Sequence, residues 1–183
     1  VRVLGLDLSK RSCGWAIWGD SDERAYSGVW ELGSEFTSRG RVYAKLHQQL
    51  TDLHRTGAID AIFYEEALNP AVLQGHTNID TLRVLNGLVA HVESWGEAMA
   101  CRVVHPVNQS TWRRFFIGKM PAATKTDQLK DYAMKRARQL GFHPTKHDQA
   151  EAIGIMDFGC EQMSLSPPWR AQGGLLAPLV AAR

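Results

Sequence analysis

The sequence predicts a mixed α/β domain whose sheet begins antiparallel and continues parallel. Three features carry this expectation. Three short apolar segments with strand character come first, separated by polar turns, before any helical period appears. Apolar residues at helical spacing then alternate with two further short strands. Two helices in succession follow the last strand.

Val1 to Leu8 (VRVLGLDL) alternates loosely and is rich in Val and Leu, so it reads as a strand. Gly14 to Trp18 (GWAIW) and Tyr26 to Leu32 (YSGVWEL) are two more, and three short strands in a row suggest a meander. Val42, Leu46, Leu50 and Leu53 mark a helix closed by Gly57. Ala61 to Glu65 (AIFYE) is a short buried strand. Leu82, Leu85, Val89 and Val92 mark a second helix ending near Gly96, and Arg102 to His105 (RVVH) a fifth strand stopped by Pro106. Leu129, Ala133, Ala137 and Leu140 mark a third helix with Gly141 past its end. A fourth helix runs from about Asp148 to Met163. From Ser164 to Arg183 the chain turns to Ser, Pro, Ala and Gly without a period. The expected organisation is one domain over 1–163 and a loosely attached tail over 164–183.

Composition is that of a soluble globular protein: 183 residues, 44% hydrophobic and 22% charged. No apolar run is long enough to span a membrane, and no signal peptide is legible. Cys13, Cys101 and Cys160 are odd in number and share no CxxC spacing, which argues against a disulfide framework or a cysteine zinc site and for a cytoplasmic setting. The net charge of +2 is unevenly spread. From Arg102 to Lys146 ten basic residues face only Asp127 and Asp131, a net +8 that leaves the remainder at −6. Such asymmetry serves solubility alone or a polyanionic partner. Trp112, Phe115 and Phe116 lie among Arg113, Arg114 and Lys119. They read as core residues of an amphipathic turn before they read as a platform for unpaired bases.

Acidic residues carry the chemistry. Asp7 ends the strand VLGL and Glu65 ends AIFY, with Glu66 next. A carboxylate at the end of a buried strand is costly unless it faces solvent, is paired or binds a cation. α/β sheets usually place their sites at these carboxyl ends. In KHDQAEAIGI, Asp148 and Glu151 fall on one helical face; the pattern is that of a capping box and equally that of a ligand pair. If the four acids converge, they need a cation to stay ionised together. Hard oxygen donors without Cys favour Mg²⁺ or Mn²⁺, and two such ions suit phosphodiester hydrolysis.

These segments resemble the RuvC-like Holliday-junction resolvases of the RNase H-like superfamily. VLGLDLSKRSCGWAIW looks like that family's first strand, turn and second strand. IDAIFYEEALNP is similar to its fourth-strand motif, TWRRFFIGKMPAATKTDQ to its basic DNA-contacting segment, and HDQAEAIGI to its last helix. The similarity runs from about Val1 to Cys160. It implies an RNase H-like five-stranded mixed sheet, three strands antiparallel and then parallel, flanked by helices. By the same resemblance Asp7, Glu65, Asp148 and Glu151 hold two Mg²⁺ ions, with Mn²⁺ able to substitute. Lys125 is the remaining catalytic residue, next to the scissile phosphate, and Arg113, Arg114, Lys119 and Lys125 contact DNA. The implied activity is that of a crossover junction endodeoxyribonuclease nicking branched DNA, in a homodimer built through the second helix.

This chain departs from the pattern at three points. Glu151 stands where Asp is usual, Arg113 replaces a Lys, and His147 precedes the acid pair. Alternatives are a RuvC-like RNA-processing nuclease, a non-catalytic nucleic-acid-binding module, and an actin-like ATPase, for which the chain is too short.

Overall fold

The computed structural model of the chain describes residues 1–66 and 79–173. Its strands are β1 (Arg2–Asp7), β2 (Cys13–Gly19), β3 (Tyr26–Trp30), β4 (Ala61–Glu65) and β5 (Val103–Val107). Between and after them run α1 (Arg39–Arg55), α2 (Ile79–Ala98), α3 (Gln109–Phe116), α4 (Thr126–Gln139), α5 (His147–Gln162) and α6 (Pro168–Gly173). The sheet order is β3-β2-β1-β4-β5, with β1, β2 and β3 antiparallel and β4 and β5 added parallel to β1. The expected five-stranded mixed sheet is therefore present. No helix among the described residues is long and apolar enough to cross a membrane.

Strand alternation divides the core in two. Leu4, Leu6, Ile62 and Tyr64 point to one face and pack with Val42, Leu46 and Leu50 of α1 and Val84, Leu88 and Val92 of α2. Val3, Ala61 and Phe63 point to the other, where α3, α4 and α5 contribute Trp112, Ala133, Ala137, Ile153 and Met156. The result is a sheet between two helical layers. Each large aliphatic side chain so buried stabilises the fold by roughly 1.5–3 kcal/mol.

α5 is buried on nearly all sides from Gln149 to Asp157, which explains why its sequence carries so weak a period. Glycines let it lie directly on the strands. A Cβ at Gly5 of β1 would stand 2.4 Å from the Met156 nitrogen, and one at Gly14 of β2 would stand 2.0 Å from the Asp148 carbonyl oxygen. Its first turn is also pinned to β3 by Gln149, which accepts from the Thr145 N–H (2.9 Å) and donates to Ser27 Oγ (3.1 Å).

Three expectations need correction. β5 continues through Pro106 instead of stopping before it, because β5 is an edge strand and its outer side needs no N–H donor. Helix α3 is an element that the apolar spacing does not predict; it is capped by Asn108, whose Oδ1 accepts from the Ser110 N–H at 3.0 Å. The segment from Ser164 is not loosely attached over its first part. Trp169 is buried against Trp18 and Phe142, and its Nε1 donates to Asp157 at 2.8 Å, while Arg170 pairs with the same carboxylate. Residues 174–183 of that segment, and the ALNP end of the fourth-strand motif, lie outside the described residues.

Candidate active site

Asp7 is the last residue of β1 and stands opposite Gly14 of β2. The parallel register of β1 with β4 pairs Leu6 with Tyr64, so one further step brings Asp7 level with Glu65. Both carboxylates leave the sheet on the side that α5 covers. Glu66, the next residue, is exposed on the opposite side. α5 brings Asp148 and Glu151 across the end of β1, and ligand oxygens of Asp7, Asp148 and Glu151 lie within 4.8 Å of one another. Glu65 is not drawn into that triad.

The capping-box reading of Asp148 does not hold. The residue at the N-cap is Lys146, its side chain makes no capping hydrogen bond, and Asp148 lies inside the first turn. An acid there still suits the positive end of the helix dipole. Among the described residues neither Asp7 nor Asp148 has a hydrogen bond or ion pair to its carboxylate. Burial, followed by the charges of Glu151, Glu65 and Asp148, holds Asp7 well above the ordinary carboxylate range, against the opposing pull of Lys130. Asp7 and Asp148, without partners of their own among the described residues, form with Glu151 a hard-oxygen donor set that could hold a divalent cation.

Glu65 and Glu151 are organised by the layer above them. Glu65 accepts from Gln109 Nε2 at 2.6 Å and from Trp112 Nε1 at 3.0 Å, so α3 fixes its orientation. Burial raises its carboxyl above the ordinary range; Arg113 and the Trp112 hydrogen bond lower it in part, and Glu151 adds to the rise. Glu151 is paired with the Arg113 guanidinium in the interior, and Lys130 Nζ of α4 lies 3.9 Å from its other oxygen.

The basic residues divide. Arg113 is only 7% exposed and faces Glu151, so it does not present its charge on the outer surface as the sequence reading expects. The cause is position: on the amphipathic helix α3, Trp112, Arg113 and Phe116 share the buried side. Arg114, Lys119 and Lys125 are exposed. Arg114 and Lys119 line an open groove of about 400 Å³ with Gln109, Met120 and Thr124, alongside the residues that hold Glu65 and Glu151. Lys125 sits at the start of α4, where its backbone N–H donates to Gln128 Oε1 at 3.0 Å. Trp112 and Phe116 are core residues, as the sequence favours, whereas Phe115 is 38% exposed. His147 turns toward Asp131 of α4 (3.2 Å) and stays out of the acid triad. Sequence reasoning misses Gln109 and Lys130. The cap residue Asn108 ahead of QSTWRRFF is the signal that could reveal the helix carrying Gln109.

Neither family models nor characterised protein sequences match the chain. Solved structures do. RuvC from T. thermophilus, determined with a Holliday junction substrate, matches at TM-score 0.64 and 13% identity over 89% of this chain and 96% of that one. The fold is that of the RuvC-type resolvases. The yeast mitochondrial Holliday junction resolvase Ydc2 matches at TM-score 0.56 and 13% identity, covering 95% of this chain and 80% of its own. The fowlpox virus Holliday junction resolvase matches at TM-score 0.54 and 11% identity, covering 89% and 99%. Within this RuvC-type fold the acid triad lies at the carboxyl end of the central strand, β1.

Proposed function

We propose that the chain is a divalent-metal-dependent endonuclease that nicks branched DNA, with the four-way junction as its substrate. One observation carries the reading: Asp7, Asp148 and Glu151 bring ligand oxygens within 4.8 Å of one another in a RuvC-type fold. The likeness to three Holliday junction resolvases supplies the substrate class.

Asp7, Asp148 and Glu151 would hold the metal, with Glu65 available to a second ion. Such ions supply an activated water and charge stabilisation for the leaving oxygen of a phosphodiester. The remaining work falls to the protein. Gln109 and Trp112 orient Glu65, and Lys130 moderates the negative charge around Asp7 and Glu151. Arg114, Lys119 and Lys125 bind backbone phosphates along the exposed basic surface, with Lys125 nearest the cut. A two-fold junction calls for two sites, which a homodimer provides. The convergence of the acids favours a nuclease over a module that only binds.

The test is cleavage of a four-way junction in Mg²⁺, beside a flap, a linear duplex and an RNA–DNA hybrid. The expected result is paired nicks in the junction and none in the duplex. Asp7→Asn should abolish cleavage while binding in Ca²⁺ stays within about tenfold, because metal chemistry and backbone contacts are separable. Preferential cleavage of the hybrid would move the substrate to RNA, and an Asp7→Asn protein that cuts normally would remove Asp7 from the site.

A further inference from the structure

Arg113 occupies an unusual place for a residue of a basic segment. Its guanidinium donates to a carboxylate oxygen of Glu151 with both side chains less than a tenth exposed. Its charge also acts on Glu65, lowering a carboxyl that burial raises. Its Nε is buried without an acceptor, while the guanidinium carbon lies over the ring of its own neighbour, Trp112, at 5.2 Å, an attractive cation–π contact. Arg113 also lines the open groove beside Arg114 and Lys119.

We propose that Arg113 is a resident counter-ion that competes with a divalent metal for Glu151, and so sets the protein's metal affinity. This rests on the metal reading above. A buried carboxylate needs one compensating cation, and two full cations on the same oxygens repel each other. Binding of metal through Glu151 therefore weakens the Arg113 pair, and the pair weakens metal binding by the same factor. Lys130, at 3.9 Å and one-third exposed, is the weaker competitor because water screens it.

The test is binding of Mn²⁺ to the full chain without DNA, followed by the electron-spin signal of free Mn²⁺. Wild type, Arg113→Gln, Arg113→Lys and Asp7→Asn are compared. Arg113→Gln should bind on the order of tenfold more tightly than wild type. A role confined to holding the fold would give weaker binding. If Arg113→Gln fails to fold, the wild type decides: the Arg113 Nε–H resonance should shift when Mg²⁺ replaces EDTA. Equal or weaker binding by a folded Arg113→Gln, or an Arg113 resonance that ignores saturating Mg²⁺, overturns the competition. In either case the metal reading survives if wild type binds Mn²⁺ and Asp7→Asn does not. No binding by any variant overturns both.

Discussion

Gly14 lies directly under Asp148: a Cβ added to the strand residue would meet the helix residue's carbonyl oxygen at 2.0 Å. The acid triad therefore depends on a missing side chain. Gly14→Ala must push the start of α5 away from β2, and with it Asp148 away from Asp7. The expected loss is about 1–3 kcal/mol of stability from overpacking. Metal-dependent stabilisation should fall as well. Thermal melts with EDTA and with Mg²⁺ measure both, and an unchanged response to Mg²⁺ would mean the triad tolerates the shift.

Asp7 gives a pH prediction of definite sign. Burial and three neighbouring acids raise its carboxyl well above the ordinary range. Over a window above that range the folded protein keeps a proton that the unfolded chain has released, so the stability due to this group falls as pH rises. In EDTA at pH 7, Asp7→Asn should be more stable than wild type by about 1 kcal/mol. The difference should shrink as pH falls toward the ordinary carboxylate range, where both states hold the proton. Glu66→Gln, on the exposed side of the same sheet end, should show neither effect. If wild type is the more stable at every pH, the acids are not in mutual repulsion.

The exposed cations give a salt prediction. Arg114→Ala, Lys119→Ala and Lys125→Ala should each weaken junction binding regardless of sequence. Each should also lower the salt slope by about one unit, since each removes a single cation from the phosphate backbone. Binding isotherms in Ca²⁺ at several salt concentrations measure this. Slopes equal to wild type for all three would make the basic surface mere solvation.

Trp169 tests where the domain ends. Its ring is 6% exposed, packs edge-on to Trp18 and Phe142, and donates to the buried Asp157. Trp169→Ala should cost about 3–5 kcal/mol, as other large aromatic truncations in a core do. Truncation after Met163 should cost at least as much, since it also removes the Arg170 partner of Asp157. Chemical denaturation of the two variants would show no change if the segment were only a tail.

The sequence by itself determined the sheet and the strand-end acids. Alternation in VRVLGLDL and AIFYE is a local property, and it fixes which side chains leave which face, so Asp7 and Glu65 are legible without any tertiary contact. Their order with Asp148 and Glu151 is legible for the same reason. Tertiary structure alone decided what surrounds them. Whether Asp148 caps its helix or faces Asp7 depends on where α5 crosses Gly14, a contact between residues far apart in the chain. Arg113 and Arg114 are adjacent and chemically identical, yet one is buried on Glu151 and the other is exposed. Composition counts both as charge. Only the packing of one amphipathic helix against α5 separates a counter-ion from a phosphate contact, because burial is set by neighbours and not by residue type.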